Sequence, residues 1–200
     1  MSLDQALTSV ARSLYDRGLT PGTSGNVSVR ADAGFIITPT SSCLGRLHVR
    51  ALAHLDPAGE RVSGGVPSKE WPLHQAFYRE HPDARAVVHL HSPSAVTVSC
   101  LADLDTDDAL PALTGYHAMR VGRVPLVPYH PPGSRELADA VQRRARGRHA
   151  LLLANHGSIF AAPDLESAAD GAEQLEQTAH VFLLLHGRRF TSVTTTGGTS

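Results

Sequence analysis

Ala86-Val87-Val88-His89-Leu90-His91-Ser92 is a short, β-branched apolar run that reads as a strand. Residues two apart share a face of a strand, so His89 and His91 point the same way while Leu90 enters the opposite layer. Immediately upstream, Pro67 to His81 reads as a helix opened by Ser68, with Leu73, Ala76 and Phe77 inward and Pro82-Asp83 as its stop. A helix followed directly by a buried strand, repeated along the chain, makes the class α/β.

The alternation runs on in both directions. Leu3, Ala6, Leu7, Val10, Ala11, Leu14 and Tyr15 follow the helical period, with Gly18 as a stop. Thr23 to Asn26 is a tight polar loop into a strand at Val27 to Val29, and Asp32-Ala33-Gly34 turns the chain into a second, Phe35 to Thr38. Asp56-Pro57-Ala58-Gly59 marks another hairpin. Farther on, Gly122 to Val127 reads as a strand, and Ser134 caps a helix carrying Leu137, Ala138, Val141 and Ala145. Ala150 to Ala154 is a buried strand, and Ser158 to Ala161 continues the sheet after His156-Gly157. Asp164 caps the longest helix, whose apolar stripe runs from Leu165 to Leu183 and stops at Gly187. The hairpins predict a largely antiparallel sheet in one layered domain over 1–190, with the Thr- and Gly-rich 191–200 as a flexible tail.

Composition excludes several classes of partner. The 200 residues suffice for one domain with a real core. Basic and acidic residues nearly cancel, 18 against 19 with no run of one sign, which speaks against nucleic acid or an anionic membrane. No apolar run is long enough to cross a bilayer. Met1 to Val10 lack the pattern of a signal peptide, and Cys43 and Cys100 read as reduced thiols, so the expected location is cytoplasmic.

Twelve histidines beside one tryptophan and two methionines are the odd feature of the composition. Taken alone, His89-x-His91 suits a metal-ligand pair and a pair of surface histidines on an edge strand equally well. Asn155-His156-Gly157 follows an apolar strand, where α/β folds often place function, although a lone histidine there also reads as an ordinary turn residue. Together the three imidazoles form the N₃ set that zinc takes, leaving a position open. Glu70 is the natural fourth group, and a carboxylate near a helix start is favoured with or without metal. As a displaceable ligand it could also transfer protons.

A second group of residues suits an anion. Gly25-Asn26, Thr40-Ser41 and Ser68 offer backbone N–H groups, amides and small hydroxyls, each an ordinary turn or cap by itself. Beside a metal site, their combination points to phosphate.

In order along the chain, Gly25-Asn26, Thr38-Pro39-Thr40-Ser41, Pro67-Ser68-Lys69-Glu70, Val88-His89-Leu90-His91-Ser92 and Ala154-Asn155-His156-Gly157 resemble the motifs of the class II sugar-phosphate aldolase family. The likeness implies a three-layer α/β/α sandwich around an antiparallel sheet, assembled as a homotetramer. It implies a zinc centre (Mn2+ or Co2+ being other divalent possibilities) held by Glu70, His89, His91 and His156. It also implies that Glu70 can leave the metal to act as acid or base. Gly25, Asn26, Thr40, Ser41, Ser68 and Lys69 are implied to bind the substrate's phosphate. Pro39 to Gly45, Pro67 to Glu70, Met119 to Tyr129 and Leu152 to Gly157 look most like the family's 3-oxo-tetronate 4-phosphate decarboxylase branch. Two departures from the aldolase pattern agree: Lys69 stands where aldolases tend to carry a second serine, and the tyrosines stop at Tyr129.

The expected chemistry is loss of carbon dioxide from a phosphorylated β-keto acid, with zinc stabilising the enediolate and Glu70 returning a proton. Aldol cleavage or 4-epimerisation of a sugar phosphate, such as fuculose 1-phosphate or ribulose 5-phosphate, uses the same intermediate class and is the alternative. A non-catalytic, adducin-like module would be expected to have lost ligands. Tyr116 is a candidate for orienting substrate, and equally a core aromatic with a satisfied hydroxyl.

Overall fold

A computed structural model describes residues 1–193. Its elements are α1 (Leu3–Asp16), β1 (Asn26–Ala31), β2 (Gly34–Ile37), β3 (Ala53–Leu55), β4 (Arg61–Gly64), α2 (Trp71–Glu80), β5 (Ala86–Leu90), α3 (Pro93–Ser99), α4 (Gly115–Arg120), β6 (Leu126–Val127), α5 (Arg135–Ala145), β7 (Ala150–Leu153), β8 (Gly157–Ala162) and α6 (Leu165–Leu185). The strands form one sheet in the order β4-β3-β2-β1-β5-β8-β7-β6. Every ladder is antiparallel except β6 with β7. The strand that carries the His-x-His pair is therefore interior, flanked by β1 and β8, and not an edge.

Alternation along the strands divides the core in two. Val27, Val29, Val88 and Leu90 pack with α1, α3 and α6 on one face. Ile37, Val87, Leu151 and Ile159 pack with α2 and α5 on the other. The result is the expected helix–sheet–helix sandwich. β5 is buried along its whole length, as a strand covered on both faces must be, which explains its continuous apolar sequence.

Two local readings are corrected, and two short helices are added. The helix after Pro67 begins at Trp71, with Glu70 as its N-cap residue, and not at Ser68. Ser68 N–H donates to Thr38 O at 3.2 Å and Pro67 bridges Pro39, so this segment extends the sheet before the helix can start. The strand expected at Gly122 to Val127 shrinks to Leu126–Val127, because Gly122 has φ +70° and Pro125 has no N–H to give a ladder. Helices α3 and α4 were not legible: α3 is seven residues rich in Val, Ser and Thr, and α4 is six residues without an apolar stripe. Part of the expected tail, 194–200, lies outside the described residues.

Helix α6 lies close on the sheet because small residues line its inner face. A Cβ placed on Gly171 would come within 2.2 Å of the Phe160 ring. Helix propensity alone favours Gly171→Ala by about 1 kcal/mol. The clash reverses the sign, and we expect a net loss of about 1–3 kcal/mol, read from the urea midpoint.

Candidate metal centre

The ligand candidates come from three separate segments. His89 leaves β5 on the α2 side, and His91 follows one step beyond the strand end on the same face. His156 sits in the turn between β7 and β8, directly after Asn155, which adopts the left-handed region at φ +54°. Gly157 then passes Leu90 so closely that a Cβ would stand 2.2 Å from its carbonyl oxygen. That approach lets the His156 turn close over the end of β5. Glu70 reaches in from the start of α2.

The three imidazoles form a nearly equilateral triangle, with ring centroids 4.7, 4.8 and 4.9 Å apart. His89 Nε2 lies 3.0 Å from His91 Nε2 and 3.4 Å from Glu70 Oε2. His156 Nε2 lies 3.0 Å from Glu70 Oε1, yet neither atom has a hydrogen-bond partner, although both are buried. Taken together, one ligand atom from each residue falls within 4.8 Å of all the others, the one such group among the described residues. A tetrahedral zinc ion with bonds near 2.0–2.1 Å sets its ligand atoms about 3.3 Å apart. The cluster fits a divalent ion on its spacing, its donor types and its orphaned lone pairs.

Tautomers point the same way. The Ser158 carbonyl accepts from His89 Nδ1–H at 2.8 Å, which turns the Nε2 lone pair toward the cluster. Burial opposes a charged Glu70, but His89 and His156 outweigh it and hold the carboxyl far below the usual range. Burial likewise opposes a proton on His89, yet the Glu70 charge raises its pKa above the ordinary value. Burial, then His89 and His156, push His91 down to about 3, and burial leads the lowering of His156.

Beside the cluster opens a cavity of about 320 Å³ whose walls include Gly25, Asn26, Thr40, Ser41, Ser68 and Lys69, with Glu70 and His91 at its end. All six residues expected at an anion site thus reach one hollow. Ser41 adopts a left-handed conformation, φ +54°, which a serine occupies only at some cost. Lys69 packs its stem against Gly133, whose Cβ position would lie 3.3 Å from Lys69 Cγ. Lys69 is also the sole lysine of the chain, the other 17 basic residues being arginine.

Tyr116 does not join the cluster within one chain. It is 53% exposed on α4, its ring 5.5 Å from the Arg120 guanidinium, and lines a separate hollow with Asp170 and Glu173. Two contributors escaped the sequence reading. Glu176 of α6 accepts from the N–H groups of Ser94 and Ala95, both at 2.8 Å, anchoring the chain just after His91. His74 lies behind Glu70, and its signal was the four-residue spacing that sets the two on one helical face.

An eight-stranded α/β sandwich with a buried three-histidine, one-carboxylate cluster defines the class of protein. The chain belongs to the class II aldolase and adducin N-terminal domain family, whose model matches residues 5–183. It is 43% identical over 193 residues to 3-oxo-tetronate 4-phosphate decarboxylase of Haemophilus influenzae, covering 96% of this chain and 92% of that one. It is 38% identical over 167 residues to L-fuculose phosphate aldolase of Escherichia coli, covering 83% and 75%. The crystal structure of Escherichia coli YgbL, assigned to the aldolase, epimerase or decarboxylase group without a choice among them, superposes with TM-score 0.93. That pair shares 39% identity over 96% of this chain and 94% of the other. Its relatives are carbon–carbon lyases, and the chain stands with them as an enzyme of that class. No described helix is long and apolar enough to cross a membrane.

Replacing His91 with alanine should abolish stoichiometric metal binding while leaving the fold, as measured by metal analysis and circular dichroism. Loading should also be proton-linked. Because the Glu70 charge raises the His89 pKa, this imidazole holds a proton more tightly than an ordinary histidine in the metal-free protein, and that proton must leave when an ion binds. Apparent zinc affinity should therefore rise as pH increases from about 6 to 8. Indicator dye should detect proton release on zinc addition; a pH-independent affinity would contradict the assignment.

Proposed function

We propose that this chain is a zinc-dependent carboxy-lyase that converts a 3-oxo-tetronate 4-phosphate to dihydroxyacetone phosphate and carbon dioxide. The observation that carries the reading is the convergence of Glu70, His89, His91 and His156 at the end of a cavity walled by small hydroxyls and one lysine. The decarboxylase relative, similar over nearly its whole length, supports the choice of reaction.

Each group has a task. Gly25, Asn26, Thr40, Ser41 and Ser68 would surround the phosphate, and the Lys69 ammonium would offset its charge. His89, His91 and His156 would hold the ion, with Glu70 as the fourth and displaceable ligand. When bound, zinc supplies a Lewis-acid sink for the electron pair that the departing carboxylate leaves behind. Loss of carbon dioxide breaks the bond to the hydroxyl-bearing carbon. Glu70, at the cavity end, would deliver the proton that this carbon then takes up, or position the water that gives it. The homotetramer and the cytoplasmic location implied by the family likeness belong to the same proposal.

Aldol cleavage or 4-epimerisation of a sugar phosphate is the second reading, favoured by the similarity to L-fuculose phosphate aldolase. The two separate cleanly. With defined keto-tetronate phosphates and zinc, we expect dihydroxyacetone phosphate and carbon dioxide in equal amounts; turnover of fuculose 1-phosphate to an aldehyde, with no carbon dioxide from the keto acid, would reverse the assignment. Glu70→Gln should retain the fold and lose turnover. Lys69→Arg keeps the charge but replaces a compact ammonium with a planar fork. It should raise KM by about tenfold, roughly the loss of one charge-assisted hydrogen bond, with a smaller change in kcat.

A further inference from the structure

Behind the four ligands, starting from Asn26 of the cavity wall, runs a line of buried polar side chains whose inner members, His74, Ser28 and Tyr78, belong to neither the cluster nor the cavity. It runs from Glu70 Oε2 to Asn26 Nδ2 at 2.9 Å, from Asn26 Oδ1 to His74 Nε2 at 2.5 Å, from His74 Nδ1 to Ser28 Oγ at 2.8 Å, and from Ser28 Oγ to Tyr78 Oη at 2.8 Å. His74 and Ser28 are fully buried, and Asn26 and Tyr78 are nearly so. Asn26 and Ser28 point from β1 to the α2 side, with Asn26 directly opposite His89 in the ladder. His74 follows Glu70 by one helical turn.

Each proton in this line has one place to go. Glu70, ionised, can only accept, so Asn26 must present its amide N–H₂ and turn its carbonyl oxygen toward His74. That oxygen can only accept, so His74 Nε2 carries the ring proton. A neutral imidazole then leaves Nδ1 as an acceptor for the Ser28 hydroxyl, and burial keeps His74 neutral, pushing it down to about 3. Ser28, its proton committed, accepts from Tyr78. Rotating the Asn26 carboxamide by half a turn would set a carbonyl against the Glu70 carboxylate and an N–H₂ against the His74 N–H. The line forbids that rotation.

We propose that His74 is a positioning residue of the metal centre: through Asn26 it fixes Glu70 Oε2 and leaves Oε1 as the atom presented to the ion. The orphaned state of Glu70 Oε1 is what this division of the carboxylate requires. Packing alone gives no reason for the line. It lies against the rings of Trp71 and Phe35, and buried polar groups in such surroundings can be replaced by apolar ones of similar volume with little loss of stability. Orienting a ligand from behind is, by contrast, a task whose removal costs metal affinity.

The inference rests on reading the cluster as a metal centre, and the test separates the two. Cobalt(II) affinity is measured by competition with a chromophoric chelator, with the visible cobalt spectrum recorded, for wild type, His74→Leu, Asn26→Ala and the double variant. Each single change should weaken cobalt between about 10- and 100-fold and alter the spectrum. The double variant should be no weaker than Asn26→Ala alone, because His74 acts through Asn26. Wild-type affinity and spectrum in His74→Leu, or losses that multiply in the double variant, would overturn the proposal. Absence of cobalt binding by wild type would overturn the metal reading together with it. Should His74→Leu fail to fold, Ser28→Ala takes its place. It deletes only the donor to Nδ1 and should lower cobalt affinity in wild type but not in Asn26→Ala; an equal loss in both backgrounds, or none in either, would sink the idea.

Discussion

A carboxylate held out of water among three imidazoles is the interaction on which this molecule turns. Glu70 is only 5% exposed, so its charge has little solvent to answer it. An ion pair stripped of one partner in such a place costs about 3–5 kcal/mol, so the surroundings must supply a compensating set of charges and donors in fixed positions. They do so from distant parts of the chain: β5 gives His89 and His91, the β7–β8 turn gives His156, and β1 gives Asn26. The interior place of β5 in the sheet is what makes this possible, since a strand with neighbours on both sides can receive groups from both. The late start of α2 serves the same end. By holding Pro67 and Ser68 to the sheet, the fold puts Glu70 at the helix's first turn, pointing into the cluster and not out along the helix surface.

The architecture was legible where a single period governed a segment. The stripe of α6, the buried run of β7 and the hairpin at Asp56 to Gly59 could each be read from their own residues, because local geometry and burial agreed there. Short elements were lost for the opposite reason. In α3 and α4 no period has room to declare itself, and their helical state follows from contacts with α6, including the Glu176 carboxylate over the first N–H groups of α3. The strand expected from Gly122 failed because a proline interrupts it, a signal present in the sequence but outweighed by its valines.

The candidate site divides similarly. His89-x-His91 announced itself by strand alternation, whereas the joining of His156 and Glu70 to it depended on motif likeness, since no local rule tells which distant residues a sheet will bring together. His74 was passed over: as one of twelve histidines, on a helix with apolar neighbours, it is marked only by its four-residue spacing from Glu70. Only the hydrogen-bond line shows that it faces Asn26 and not an apolar partner. Tyr116 went the other way, a promising residue that within one chain stands apart from the cluster.

Having a single lysine gives the molecule an unusual chemical simplicity. Reagents that acylate or reductively alkylate primary amines find only two kinds of target here, the chain terminus and the wall of the cavity beside the histidine cluster. Covalent attachment at Lys69 is thus equivalent to titrating the site, and a ligand's protection of that one amine reports occupancy without a catalytic assay. The same economy means that a fluorophore, a spin label or a solid support coupled through lysine lands in the cavity proposed to take substrate, so an immobilisation that leaves this cavity open must use another side chain.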